Sequence, residues 1–301
     1  MDVPGRITLG SRGSDLAQAQ VRLVEQALRR VWPELEVAIE IIRTSGDESA
    51  KAAAIPDRKA GRKGLFTREI EKELLLRRID VAVHSAKDLP SGGLDALEVR
   101  ATLPRAATAD VLITKSGGGL TALARGSVIA TGSIRRQRQL GWIRPDLQIV
   151  DLRGNVPTRL RKLRENEGWS GIILALAGLE RLGLNVEGEV LSPENFVSAG
   201  GQGVIALQVR SGDARIRELI DAINDQATYV CLRAEREFLR LLNGDCDSPV
   251  GVQAQQEAGR LRLRAQIFEA PGAAPRVGTI VGDSGDPEAM AAKLMKQLYG
   301  G

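Results

Sequence analysis

The segment Asp80–Pro90, DVAVHSAKDLP, decides how the rest of the chain is interpreted. Its apolar run Val81–Val83 predicts a short buried strand. The run then gives way to His84, which is the only histidine of the chain, and to the charged neighbours Lys87 and Asp88. A strand that ends in polar residues places them at the carboxyl edge of a sheet, where open α/β folds bind ligands. The alternative is a strand that leaves the core through a surface Lys–Asp pair, and this segment alone favours neither interpretation.

Strands and helices alternate on both sides of this segment, from residue 6 to residue 210. This alternation predicts α/β lobes with largely parallel sheets. The pattern then changes to a helix, antiparallel strands and a closing helix, which indicates a small α+β unit. We therefore expect three domains: residues 1–103 with 204–222, residues 108–199, and residues 225–301. The stretch from Thr44 to Gly64 lacks periodicity and is long for a loop, so it is either a mobile functional loop or disordered.

The composition excludes several classes of protein. Hydrophobic residues make up 43% of the 301 residues, as in soluble globular proteins. No stretch approaches the roughly 20 apolar residues of a membrane span, and the first residues lack the features of a secretory signal. Two cysteines and one histidine predict neither a disulfide framework nor a transition-metal site. We expect a cytoplasmic protein with free thiols, monomeric by default.

Arginine dominates the basic residues, since only nine of the 42 are lysines and the net charge is +4. A genome rich in G and C explains part of this bias. Planar, bidentate binding of carboxylates or phosphates explains it functionally. Nucleic acid is not the expected partner, because the charges are scattered and aromatic residues amount to 3%.

Two similar segments predict anion sites. Thr8–Arg12 and Thr131–Arg135 each lie between a strand and a helix, and each combines a serine and an arginine with a helix N-terminus. Arg153, at the end of a later predicted strand, and Arg159, in the helix that follows it, form a similar arrangement. Two lobes with arginines at facing sheet edges indicate a cleft for a ligand with several carboxylates. The alternative is a set of arginines that cap loops in salt bridges.

Three further residues are candidates for chemistry. Asp88 in such a basic cleft suits the stabilisation of a developing cation or the transfer of a proton. Cys231 lies on the apolar stripe of a predicted helix, so we interpret it as a core residue. Cys246 lies in a loop after that helix, where a thiol either anchors a group covalently or is incidental. A Cys–His pair is not expected, because the chain has no second histidine to choose from.

The chain resembles the porphobilinogen deaminase family, also called hydroxymethylbilane synthases, nearly from end to end. The resemblance rests on several motifs in one order. They are SRGSDLA (Ser11–Ala17), GRKGLFTREIE (Gly61–Glu71), DVAVHSAKDLP (Asp80–Pro90), ATGSIRRQRQL (Ala130–Leu140), LRGNVPTRL (Leu152–Leu160), IILALAGLERLGL (Ile172–Leu184), GGQGVIALQ (Gly200–Gln208) and the loop around Cys246.

The resemblance implies two lobes like those of periplasmic binding proteins, with a small third domain. It implies a transferase that joins four porphobilinogens head to tail with loss of ammonia and then hydrolyses the product free as hydroxymethylbilane. It further implies a covalent dipyrromethane cofactor on Cys246, with Asp88 as the catalytic carboxylate and Lys59 and Lys63 in a mobile cover. The other implied cofactor-binding residues are Lys87, Ser133, Arg135, Arg136 and Gly203. The implied substrate-binding residues are Arg12, Ser14, Arg153, Arg159 and Arg181. A non-catalytic two-lobed anion-binding protein remains the alternative.

Overall fold

The computed structural model describes residues 5–44, 67–243 and 248–300. Lys59, Lys63, Cys246 and nearly all of the Thr44–Gly64 stretch lie outside these residues, so what the sequence predicts for them stays a prediction. In chain order the elements are β1 (Arg6–Arg12), α1 (Asp15–Val31), β2 (Glu36–Ile42), α2 (Arg68–Leu75), β3 (Val81–Ser85), β4 (Leu97–Thr102), β5 (Asp110–Thr114), β6 (Val128–Ala130), α3 (Ile134–Ile143), β7 (Gln148–Val150), α4 (Val156–Glu165), β8 (Gly171–Ala175), α5 (Leu176–Arg181), β9 (Glu189–Val190), β10 (Ile205–Arg210), α6 (Ala214–Asp221), α7 (Gln226–Leu241), β11 (Val250–Glu257), β12 (Arg260–Ile267), β13 (Arg276–Asp283) and α8 (Pro287–Tyr299).

Two five-stranded sheets form the two lobes, and their strand orders correspond. The first sheet runs β2-β1-β3-β10-β4 and the second runs β7-β6-β8-β5-β9. In each, the strand that enters from the other lobe is fourth in the order. The sequence prediction of two similar α/β lobes is therefore confirmed.

In each sheet four of the five described strands run in one direction, which fits the expectation of largely parallel sheets, and one strand runs against them. Only β1 with β2 and β3, and β6 with β7 and β8, pair in parallel, whereas β10 and β5 run antiparallel to their neighbours. The reason is topological. β5 follows the first crossing between the lobes (residues 103–109) and β10 follows the second (residues 191–204), so each enters its sheet in the opposite direction to the strands built by local strand–helix–strand connections.

The C-terminal unit is a three-stranded antiparallel sheet, β11-β12-β13, covered by α7 and α8. Its core includes Phe238 and Leu263, which are fully buried. Cys231 also lies in this core, as the sequence predicts, and burial raises the pKa of its thiol to about 11. The bounds of the three domains stay a prediction. In the described part of the chain, no helix combines the length and hydrophobicity needed to cross a membrane.

A buried ion pair fastens this unit to the crossings between the lobes. Arg105, on the first crossing, donates to both carboxylate oxygens of Glu235 on α7, at 2.7 and 3.2 Å. Glu235 is fully buried and also accepts the backbone N–H groups of Gly201, on the second crossing, and Ala254, on β11, at 2.7 and 2.6 Å. One carboxylate thus joins both crossings to the C-terminal sheet.

Candidate functional site

Two adjoining cavities lie at the carboxyl ends of the parallel strands. The first, which we call the interlobe cavity, encloses about 500 Å³, part of it open to solvent, between the two lobes and the second crossing. The second, the Asp88 cavity, encloses about 410 Å³, also partly open, within the first lobe. Leu16, Gln20 and Ser85 line both cavities, so the two share a wall. The position matches the ligand-binding edge predicted from the sequence.

Asp88 reaches its cavity because β3 ends at Ser85 and the chain turns into a short 3₁₀ helix, residues 86–88. Its Oδ2 lies 3.8 Å from a guanidinium nitrogen of Arg12, which ends β1. Their side chains are 35% and 20% exposed, so both groups reach solvent in the cavity. At 3.8 Å the two charges attract each other but form no direct hydrogen bond. Ser14 lines the same cavity and caps α1 by accepting the N–H of Ala17 at 3.3 Å.

Cations from both lobes converge on the interlobe cavity. Lys87 comes from the first lobe, and Arg136, Arg159 and Arg181 come from the second. Burial lowers the pKa of Lys87 to about 8, Arg136 acts in the same direction, and the nearby carboxylate of Asp88 opposes them. The Arg159 Nε donates to the carbonyl of Gly154 at 2.7 Å, which holds the guanidinium at the cavity wall.

Arg181 connects the cavity to the second crossing. It donates to the carbonyl of Gly203 at 2.7 Å, and burial lowers its pKa. Gly203 adopts a φ of +83°, and a Cβ there would lie 2.4 Å from the carbonyl oxygen of Ala106, so no side chain fits. Gly201 has a φ of +74° and passes so close to the 3₁₀ helix that a Cβ would lie 2.9 Å from the backbone nitrogen of Lys87. Gly201 therefore allows the second crossing to pack directly against the segment that carries Asp88, and Gly203 allows it to pack against the first crossing.

Arg135 and Arg136 share one buried partner, Asp110, which sequence reasoning missed. Their guanidinium nitrogens lie 2.8 and 2.7 Å from its two carboxylate oxygens. Burial acts to raise the pKa of Asp110, but the two guanidinium groups outweigh it and hold that pKa well below its ordinary value. An aspartate at the start of an otherwise apolar strand was the available signal, because a buried carboxylate requires a cationic partner.

Three predicted site residues lie outside the walls of both cavities: Ser133, Arg135 and Arg153. Ser133 caps α3 by accepting the N–H of Arg136 at 3.5 Å. Arg135 bonds to Asp110, to Gln139 Oε1 and to the carbonyl of Val197. Arg153 is half-exposed and pairs with Asp151 at 2.9 Å.

The arrangement suits a ligand with several carboxylates. Most of the predicted cations line the interlobe cavity, and among the described residues that line the two cavities Asp88 is the one carboxylate. The Nε of Arg136 is buried and has no partner among the described residues, which leaves a donor at the wall of the interlobe cavity for an acidic group. Within the described ranges, no cluster of His, Cys, Asp and Glu side chains can hold a metal ion.

Two family models match most of the chain. Residues 7–218 match "Porphobilinogen deaminase, dipyromethane cofactor binding domain", and residues 229–300 match "Porphobilinogen deaminase, C-terminal domain". The porphobilinogen deaminase of Syntrophobacter fumaroxidans is 40% identical over 311 residues, which cover 97% of this chain and 98% of that protein. The porphobilinogen deaminase of Moorella thermoacetica is 42% identical over 293 residues, which cover 97% and 92%.

Among solved structures, the methionine-binding protein MetQ superposes with a TM-score of 0.44 at 14% identity. The superposition covers 80% of this chain and 96% of MetQ.

Proposed function

Since this chain belongs to the porphobilinogen deaminase family, we propose that it joins four porphobilinogens head to tail and releases hydroxymethylbilane by hydrolysis. It is a transferase of tetrapyrrole biosynthesis. Each condensation forms one carbon–carbon bond and expels one ammonia. The observation that supports this assignment most strongly is the identity of at least 40% to named deaminases over 97% of the chain. The non-catalytic alternative is not favoured, because both matched models belong to an enzyme.

We assign the central chemical role to Asp88. When ammonia leaves porphobilinogen, the pyrrole becomes a cation, and the carboxylate that lines the Asp88 cavity stabilises that charge. The guanidinium of Arg12 lies 3.8 Å from this carboxylate and attracts it electrostatically. The same guanidinium, with Ser14, is placed to bind a carboxylate of the incoming substrate.

The interlobe cavity fits an acidic oligopyrrole. Lys87 and Arg136 line it, and the Nε of Arg136 lacks a partner among the described residues. We propose that these two residues bind acidic groups of the dipyrromethane cofactor, and that Arg159 and Arg181 bind those of the substrate and the growing chain. When bound, the cofactor supplies the pyrrole carbon to which the first porphobilinogen is added. Arg135 supports the cavity wall from behind through Asp110, and Gly203 lines the cavity and accepts from Arg181 through its carbonyl.

The remaining assignments rest on the family. We propose Cys246 as the covalent attachment point of the cofactor, and Ser133 and Arg153 as further binding residues for cofactor and substrate. We also propose that the protein is a cytoplasmic monomer that binds neither nucleic acid nor membranes. Light scattering of the purified protein tests the monomer, and a dimeric mass would refute it.

The assignment is tested by incubating the purified protein with porphobilinogen. We expect consumption of porphobilinogen, release of ammonia in equal amount, and a linear tetrapyrrole detected by mass spectrometry. Saturable binding of porphobilinogen without release of ammonia would refute the enzymatic function and support the binding-protein alternative.

A further inference from the structure

His84 is the only histidine of the chain, and the proposed reaction gives it no role. It lies near the end of β3, is 4% exposed and lines the Asp88 cavity. Its Nε2 lies 3.0 Å from Oε1 of Gln208 on β10. The amide nitrogen of Gln208 in turn donates to Oε1 of Glu71 on α2 at 3.1 Å. These contacts form a buried chain, Glu71–Gln208–His84, that ends at the cavity wall.

The hydrogen bond to Glu71 determines which group donates and which accepts at each step of this hydrogen-bonded chain. Gln208 donates from its NH₂ group to Glu71, so it turns its carbonyl oxygen to His84. An oxygen at that position requires the proton of the imidazole to be on Nε2. The lone pair of the ring is therefore on Nδ1. Gln208 and Glu71 do not line the cavity, whereas His84 does. The ring edge held by Gln208 thus points inward, and we infer that the edge with Nδ1 faces the cavity.

Burial, together with the charges around it, keeps the imidazole ring of His84 neutral. Burial lowers the pKa of His84 to about 4, the hydrogen bond that His84 donates to Gln208 opposes this, and the positive charges of Arg236 and Arg12 act in the same direction as burial. Of the carboxylates, Glu71 ends the hydrogen-bonded chain and Asp88 lines the same cavity. At neutral pH the imidazole is therefore an acceptor rather than an added cation.

Thr67 supplies a second polar group in the same wall. Its side chain is buried at the start of α2, and its Oγ1 has no hydrogen-bond partner among the described residues. Buried polar groups without partners are uncommon and costly. The cavity that holds Asp88 thus presents two further groups, His84 and Thr67, that a polar ligand group is able to satisfy.

We propose that His84 Nδ1 accepts a hydrogen bond from the ammonium of the aminomethyl group of incoming porphobilinogen, with Thr67 Oγ1 and the Asp88 carboxylate as further acceptors. This proposal rests on the function proposed above. The carbon–nitrogen bond breaks with its electron pair moving to nitrogen, and ammonia departs from the protonated amine. The pyrrole nitrogen donates its lone pair into the ring, and the resulting cation lies beside Asp88. A neutral acceptor orients the ammonium for this step without adding a positive charge next to the developing cation.

The tautomer is tested directly, because a single histidine gives a single pair of imidazole nitrogen signals. In the enzyme as purified with ¹⁵N-labelled histidine, we expect a proton on Nε2 and none on Nδ1 from about pH 8 to about pH 5. A proton on Nδ1, or an imidazolium in this range, would overturn the proposal. The measurement needs no turnover, so it remains informative even if the proposed function fails.

A matched pair of variants tests the ligand contact. His84→Gln keeps a polar atom at the position of Nε2, and His84→Asn keeps one at the position of Nδ1. We expect His84→Gln to raise the KM for porphobilinogen about tenfold with an unchanged melting temperature, since it loses a hydrogen bond to a charged group. We expect His84→Asn to lower the melting temperature while KM stays closer to wild type.

A raised KM in His84→Asn together with a lowered melting temperature in His84→Gln would show that His84 is structural and would overturn the proposal. Thr67→Val, which replaces only the hydroxyl, should raise KM in the same way, and an unchanged KM in both Thr67→Val and His84→Gln would refute the contact. A wild-type enzyme that fails to consume porphobilinogen would refute the proposed function and the ligand assigned here, whereas the tautomer would still be measured.

Discussion

Gln202 donates a hydrogen bond of 2.8 Å to Oδ1 of Asp110, and its backbone carbonyl accepts from Arg105 at 2.9 Å. This one residue of the second crossing therefore joins the two buried ion clusters, Arg105–Glu235 and Asp110–Arg135–Arg136. The network runs from the C-terminal unit, through both crossings, to the wall of the interlobe cavity.

Asp110→Asn should destabilise the protein strongly. It leaves two buried guanidinium groups without a counter-charge, and breaking a buried pair in this way costs about 3–5 kcal/mol. Denaturant unfolding measures the change. Glu288→Gln is the control, because it removes an exposed pair with Arg233 and should alter the free energy of unfolding far less. Equal effects of the two substitutions would contradict the importance assigned to the buried cluster.

The same carboxylate predicts how stability depends on pH. The folded pKa of Asp110 lies well below its ordinary value of 3.8. Its contribution to stability is therefore complete above that value and is lost as the pH falls toward the folded pKa. Acid unfolding of Asp110→Asn should accordingly show a shallower dependence on pH below about pH 4 than that of the wild type. Parallel curves for the two proteins would rule out this contribution.

Glu235→Gln should loosen the attachment of the C-terminal unit. The substitution removes the charge that pairs with Arg105 but keeps an acceptor for one of the backbone groups. We expect faster hydrogen exchange at the amides of Gly201 and Ala254, which donate to this carboxylate at 2.7 and 2.6 Å. Glu237→Gln, on the same helix but in a surface pair with Arg240, is the matched control. Unchanged exchange in Glu235→Gln would argue against the pair as the fastening point.

Asp88→Asn should reduce turnover by at least about a hundredfold, because the amide cannot stabilise the cation that forms as ammonia leaves. The melting temperature should stay near that of the wild type, since Asp88 is partly exposed and makes no close pair. Asp95→Asn, at an exposed position of the following loop, is the control and should keep full activity. Full turnover in Asp88→Asn would remove the residue from its assigned role.

Much of the site was predictable because its signals are local. The buried run before His84 marks β3, and the serines that cap α1 and α3 each lie between a strand and a helix. Strand direction was not predictable in the same way. Periodicity shows that Val111–Ile113 is buried but not from which side the chain enters the sheet, and the crossings decide that.

The burial of the arginine side chains was also not predictable from the local sequence pattern. Arg135 and Arg136 both follow the serine that caps a helix, and this pattern predicts an anion site that is open to solvent. Their burial against Asp110 depends on a strand 25 residues earlier in the chain. The hydrogen-bonded chain Glu71–Gln208–His84 joins α2, β10 and β3. Because β10 joins the first sheet only after the polypeptide has crossed back from the second lobe, no spacing in the sequence indicates these contacts.

The most direct test of the account is the intact mass of the denatured protein. We predict that the wild type and Cys231→Ala each carry an adduct of the size of a dipyrrole, because Cys231 is buried in the C-terminal core. Cys246→Ala should have the mass of the bare polypeptide. An adduct that persists in Cys246→Ala, or a wild type that carries none, would contradict the tethered-cofactor mechanism.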